Sequence, residues 1–456
     1  MPRKLGLVML LFLVGAVQAA PDTHEYTLSN GMKLIVREDH RAPVVISQVW
    51  YKIGANYEHD GITGVSHALE HMMFKGTKAH PTGEFSRIIA ANGGRENAFT
   101  GRDYTAYFQE LEKSRLAVSF ELEADRMRNL LLPPEEFAKE IKVVMEERRL
   151  RTDDDPQSLT YEQFLASAFL SSPNRIPVIG WMNDLQNLSV QDAHDWYRLW
   201  YSPNNATLVV VGDVDPEAVY KLAKRYFGPL KAETLPPIKP RNELPQLGMR
   251  RITVKVPAQL PYLIMGYKTP VLRSVAEPWE VYALEVLSGI LDGGESARLT
   301  SHLIRGSQIA AQVDSGYDLY DRLDGLFLLD GTPSQGHSIA ELEKALRNEV
   351  QKLRDEPVSD AELERIKAQV VASAVYQRDS IFYQAMQLGR VETIGLDWRV
   401  VDEYPEKIRA VTAAQVQKVA QKYLIDDRLT VAELSPLPID PKHPPRISSG
   451  GPGDVR

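Results

Sequence analysis

The stretch GVSHALEHMMFKGT, Gly64 to Thr77, carries two histidines four residues apart, with a glutamate directly before the second. On a strand, His67 and Glu70 would point to opposite faces. On a helix, His67 and His71 lie one turn apart on one face, and Glu70 sits beside them. The helical reading offers two imidazole nitrogens to one point and a carboxylate next to it. The plainer reading is an amphipathic helix that happens to carry histidines.

The surrounding composition narrows the choice. The chain of 456 residues contains no cysteine. That excludes a thiol nucleophile, a disulfide framework and Cys-ligated zinc, so any metal must be held by His, Asp or Glu. A catalytic zinc takes three protein ligands and keeps one position open. His67 and His71 supply two, and Glu70 can point at a bound water. A third ligand has to come from elsewhere. PPEEFAKEIKVVMEERRLRTDDDP predicts a helix from Pro134 with Phe137, Ile141 and Val144 on its apolar stripe. Glu146 falls nearly opposite that stripe and reads as solvated. Glu140 and Glu147 share its flank, so Glu147 can reach a buried site with Glu140 beneath it as a supporting partner. RTDDDP reads as a helix end and solvated loop. His59 and His80 have no helical relation to the motif and read as surface loop residues.

Apolar content of 43%, charged content of 25% and a formal charge of −8 suit a globular protein with real cores. An acidic chain lacks the basic face of a nucleic-acid binder. The N-terminus, MPRKLGLVMLLFLVGAVQAAP, has a basic start at Arg3 and Lys4, an apolar core from Leu5 to Val17 and small residues at Val17 and Ala19. It predicts an export signal over 1–19, too short for a membrane span. No later stretch is long and apolar enough to span a bilayer, so the mature chain is expected in the periplasm or secreted.

Beyond the signal, YTLSNGMKLIVRED predicts a hairpin turning at Asn30-Gly31. Val44–Gly54 and ATLVVVGDV (206–214) read as strands, and ENAFTGRDYTAYFQEL as β-prone between two helices, 82–92 and 114–131. PPIKPRNELPQLG, Pro236 to Gly248, reads as a linker. The expected division is a metal-binding domain at 20–235, the linker at 236–248, a second domain at 249–436 and a disordered tail at 437–456. The two pieces look alike. A β-run ending VWYKIG leads to HALEH, and LPYLIMGYK leads at similar spacing to YALEV, Tyr282 to Val286. YSPNNATLVVV from Tyr201 echoes YLIDDRLTVAEL from Tyr423. The second copy has Tyr282 and Val286 in place of the histidines, so only one half can bind a metal.

H-x-x-E-H is the inverted zincin pattern. With GGRENAFTGRDYTAYF (Gly93 to Phe108), EIKVVMEE and GGESARL (Gly293 to Leu299), the chain resembles the pitrilysin/insulinase family of zinc peptidases, over nearly its whole mature length. Its size is similar to the half-size branch that includes the mitochondrial processing peptidase β subunit. The resemblance implies an α+β fold of two related domains, each a mixed sheet covered by helices, forming half of a clamshell chamber. It aligns His67, His71 and Glu147 with ligands of one Zn²⁺ per chain, Glu70 with the general base and Glu140 with a supporting acid. Asn97 and Ala98 fall on the edge strand that pairs with an extended peptide substrate. Single-chain relatives carry an arginine and, six or seven residues on, a tyrosine near the substrate carbonyl. Here Arg305 fits the arginine, but the tyrosine position falls at Ala310 to Gln312. That implies a related partner chain supplying an Arg/Tyr pair, a homodimer being the other arrangement. The alternative function is a non-catalytic core subunit of a larger complex, a class that typically loses its ligands; this chain keeps them.

Overall fold

The computed structural model describes residues 22–439. The expected export signal and all but the first residues of the expected tail lie outside that range. Two mixed sheets organise the chain. The first contains β1 (Thr23–Thr27), β2 (Lys33–Glu38), β3 (Val44–Tyr51), β4 (Arg95–Thr100), β5 (Thr105–Glu112) and β6 (Ala206–Gly212), in the order β1-β2-β6-β3-β5-β4. The second contains β7 (Arg250–Pro257), β8 (Tyr262–Thr269), β9 (Ala310–Gly316), β10 (Gly325–Pro333) and β11 (Leu429–Leu437), in the order β7-β11-β8-β10-β9. With β1 set aside, the two sheets share one topology. β2 runs parallel to β6 as β7 does to β11, and every other pairing is antiparallel. The repeat suggested by HALEH and YALEV is therefore a repeat of fold.

Local signals explain the elements. The first hairpin pairs Tyr26 with Leu34, and Gly31 takes the left-handed conformation (φ 86°) at the expected turn. Along β6, Leu208 and Val210 enter one core while Val209 and Val211 enter another. A strand apolar on both faces needs a layer on each side.

That second layer is exchanged between the halves. The helix Ile381–Thr393, from the second half, packs Ala385, Leu388 and Val391 into the core that holds Ile46, Trp50, Val209 and Val211. Reciprocally, the helix Pro156–Ala168 sets Phe164, Leu165 and Ala168 against Tyr262, Ile264, Ala432 and Leu434. Both seams are tight enough to require glycine. A Cβ on Gly389 would fall 2.1 Å from Trp50 Nε1, and one on Gly266 would fall 2.5 Å from Phe164 Cζ.

Two segments differ from the sequence reading. RTDDDP is a helix end with Arg151, Asp153 and Asp154 exposed, as expected, but it is not a loop. A π-helical turn, Arg149–Asp153, carries the chain onward, and Asp155 caps the next helix by accepting the Ser158 amide at 2.7 Å, with Pro156 in its first turn. The segment Pro236–Gly248 is irregular but tied down. The Glu243 carboxylate accepts the amides of Leu170, Ser171 and Ser172 and pairs with Lys268. Burial alone would raise its pKa, but Lys268 and those amides hold it down at about 2.

Candidate metal centre

The motif forms the helix Val65–Met72. Val65, Ala68, Leu69 and Met72 are buried in the first core, leaving His67, Glu70 and His71 on the opposite, half-buried face. The helix start is pinned by Glu58, whose carboxylate accepts the amides of Gly64 at 2.7 Å and Ser66 at 2.8 Å. These are the orphan donors of a helix N-terminus, where a negative charge is favoured. Burial nevertheless pushes Glu58 up to about 7.

The facing helix is Pro134–Arg148, entered through a proline in its first turn, as expected. Phe137 and Val144 are buried. Arg148 anchors its last turn with a bidentate pair to Glu162 (2.7 and 2.9 Å) and a bond to the Gly180 carbonyl at 2.9 Å. The residue before that anchor is Glu147, which is thereby fixed in height opposite the motif helix. Glu146 is exposed and pairs with Arg149, as the helical wheel implies.

His67 Nε2 lies 3.8 Å and His71 Nε2 3.5 Å from Glu147 Oε2, and one ligand atom from each residue lies within 4.8 Å of the others. Tetrahedral ligands at zinc distances sit roughly 3.4 Å apart, so these atoms fit one such ion with little movement. Glu140 Oε2 is 3.2 Å from His71 Nδ1 and its other oxygen is 2.6 Å from Lys75 Nζ. Such a carboxylate fixes the tautomer that presents Nε2 to a metal. Burial, with the His71 charge adding, lowers His67 to about 4, which keeps its ring neutral and able to donate a lone pair. Burial also acts on Glu147, but the His71 hydrogen bond, His67 and Arg151 outweigh it and lower Glu147 to about 2. Burial raises Glu70 to about 7, against the opposing hydrogen bond from Thr100. A carboxyl poised near neutrality is matched to taking up and releasing a proton.

Beside this cluster, β4 is an edge of the first sheet, paired with β5 only. Asn97 is exposed on it and Ala98 is buried. The Ala98 amide is bonded by Asn97 Oδ1 at 2.9 Å. Thr100, at the end of the same strand, donates to Glu70 Oε2 at 2.5 Å, joining the strand to the carboxylate. Arg305 stands apart. It is exposed on the turn Thr300–Gly306 of the second half, bonds the Glu295 carbonyl and makes no hydrogen bond or ion pair with the cluster. Ala311 is exposed on β9, and Tyr317 follows that strand with its hydroxyl on the Pro270 carbonyl at 2.7 Å. Glu58, Lys75, Thr100 and Arg151 escaped the sequence reading. Lys75 and Thr100 reach the site through tertiary packing, whereas Arg151 pairs with Glu147 one helical turn away, a spacing that could have marked it.

The two half-sheets and this cluster define a class, and comparison supplies the family. Residues 33–180 match the family described as insulinase (peptidase family M16), and residues 187–370 match the peptidase M16 inactive domain. The zinc protease PqqE of Helicobacter pylori is 33% identical over 444 residues, 95% of this chain and 98% of the relative. A zinc protease of Bacillus subtilis, YmxG, is 24% identical over 90% of this chain and 98% of the relative. The crystal structure of a protease from Helicobacter pylori superposes with a TM-score of 0.86 at 31% identity, covering 91% of this chain and 100% of that one. The chain belongs to the insulinase, or M16, peptidase family.

Proposed function

We propose that the chain is an exported zinc-dependent endopeptidase that cleaves peptides or unfolded segments of polypeptide. The observation that carries this reading is the meeting of His67, His71 and Glu147 at one point, with Glu70 alongside. One Zn²⁺ held by those three residues would polarise a water molecule and the scissile carbonyl. Glu70 takes the proton from that water as it attacks and passes it to the leaving amine; a carboxyl near pKa 7 can do both. Thr100 aims the Glu70 carboxylate, and Glu140 holds His71 from behind. An extended peptide adds to the open edge of β4 at Asn97 and Ala98, bound mainly through its backbone, so side-chain specificity is modest. On binding, the Asn97 side chain releases the Ala98 amide to the substrate.

The same reading divides the chain into an export signal at 1–19, a metal-binding domain at 20–235, a linker at 236–248, a second domain at 249–436 and a tail. It also implies that the mature protein is periplasmic or secreted. Among the described residues no helix is long and apolar enough to cross a membrane. Activity requires a second, related chain to close a clamshell. Here Arg305 has no tyrosine at Ala310 to Gln312, and a missing oxyanion donor costs about 10²–10³ in rate. The test is reconstitution: the purified chain should cleave an unstructured peptide poorly alone and strongly with the related chain, and a chelator should abolish both. Cleavage unaffected by chelator would refute the zinc reading. Full activity alone, with no gain from the partner chain, would refute the pairing.

A further inference from the structure

The counterpart of the motif helix in the second half is Trp279–Asp292, in which YALEV retains the Ala-Leu-Glu of HALEH. Tyr282 and Val286, in the histidine positions, are buried in the core. Matching EIK (Glu140–Lys142) to RIK (Arg365–Lys367) puts Ala372 in the place of Glu147. The metal ligands are gone, yet the glutamate persists as Glu285. It borders a cavity of about 550 Å³ between this helix, the helices Asp360–Gln377, Ile381–Thr393 and Arg399–Arg409, and the segment after β9. That volume suits a small ligand or one long side chain. Exposed Ser373 and Gln377 line it, so it opens to solvent.

Five charged side chains border the cavity, Arg37, Arg378, Arg390, Asp318 and Glu285, and among them Glu285 alone stands outside an ion pair. Arg390 pairs with Asp318 and Asp321, and Arg37 and Arg378 share Asp402. Glu285 has no cation within ion-pair distance; its one hydrogen bond comes from the Tyr404 hydroxyl at 3.1 Å. Burial and the nearby Asp318 charge push its carboxyl up to about 7, against the Tyr404 hydrogen bond and the Arg390 charge. Gln384, 4% exposed, also borders the cavity, and its Oε1 is buried without a partner. Rings supply the rest of the wall. Tyr320 and Tyr404 have centroids 6.3 Å apart, Tyr383 adjoins them, and the Tyr320 hydroxyl is engaged by the Val400 carbonyl. A carboxyl outside every ion pair and several electron-rich rings together favour a cation.

We propose that this cavity binds an alkylammonium group, either a lysine side chain of a polypeptide or a free diamine, seated against Glu285 among Tyr320, Tyr383 and Tyr404. The site is separate from the metal centre and does not depend on catalysis. Calorimetric titration tests it, on the zinc-loaded mature chain in the Glu70→Gln background so that peptides are not cut. The probes are a blocked pentapeptide with one central lysine and 1,5-diaminopentane. Their uncharged controls are the norleucine pentapeptide and 1,5-pentanediol. At least one cation should bind saturably, at least tenfold more tightly than its control. It should release protons at pH 7 as Glu285 ionises, and lose at least tenfold in affinity in Glu285→Gln, which preserves side-chain size and an acceptor for Tyr404. Binding of the peptide only identifies a polypeptide ligand, and binding of the diamine only identifies a free amine. Three results would each overturn the proposal: no saturable binding of either cation, equal binding of the neutral controls, or unchanged affinity in Glu285→Gln.

Discussion

The two halves solve the same packing problem with the same strands in the same order, and they diverge at one helix. In HALEH and YALEV, Ala68 and Leu69 match Ala283 and Leu284, all four buried. Those positions serve the fold. The flanking positions are free to change: His67 and His71 in one half, Tyr282 and Val286 in the other. Histidine is therefore not what the architecture requires, and its presence in the first half points to chemistry. The same contrast holds on the facing helix, where Glu147 stands against Ala372. His67, His71 and Glu147 thus all lack a counterpart of their kind in the second half.

The largest effect expected from this contrast is on turnover. Glu70→Gln should lower peptide hydrolysis by at least about 10³ while zinc is retained, since it removes the proton acceptor and no ligand; Glu285→Gln, at the matching position, should leave hydrolysis within about twofold. Equal losses in the two variants would erase the distinction between the halves. Glu140→Gln should cost roughly 10–100-fold in zinc affinity or activity, the range for a partner behind a ligand, read by competition with a chromogenic chelator. The shared packing can be broken at its reciprocal seams. Gly389→Ala drives a methyl into Trp50 and Gly266→Ala drives one into Phe164. Each should lower stability by about 1–3 kcal/mol in denaturant titration, and an unchanged midpoint would show that the seams yield freely.

The smallest effect concerns pH. Glu285 holds its proton up to about pH 7 in the folded chain, whereas an unfolded glutamate loses it near 4.3. The stability it contributes is thus complete below the unfolded value and is lost as pH climbs through 7. Glu285→Gln removes that loss, so the variant should gain on wild type between pH 5 and pH 8, by on the order of 1 kcal/mol. A constant difference across that range would show that Glu285 is not held protonated.

Most of the frame was legible in the sequence, because the signals were local. The Asn30-Gly31 turn, the doubly apolar β6 and the Pro134 start each depend on neighbouring residues. The meeting of His67, His71 and Glu147 was legible for a similar reason, since helical periodicity alone separates Glu147 from Glu146. The exchange of helices between the sheets was not legible. Phe164 meets Gly266, and Trp50 meets Gly389, across separations that no periodicity records. In RTDDDP the charges do face solvent, but Asp155 and Pro156 begin a helix there that the charge run concealed. Glu58 and Thr100 were missed because a cap and an aiming hydroxyl, reached through the fold, leave no pattern in the chain.

The most direct measurement of the difference between the halves is the metal content of the purified mature chain and its variants by elemental analysis. One zinc per chain is expected, kept in Glu70→Gln and Glu285→Gln, and lost in His71→Ala and in Glu147→Gln after dialysis against a weak chelator. Full zinc in His71→Ala, or two ions per chain, would contradict the assignment of a single metal centre to the first half.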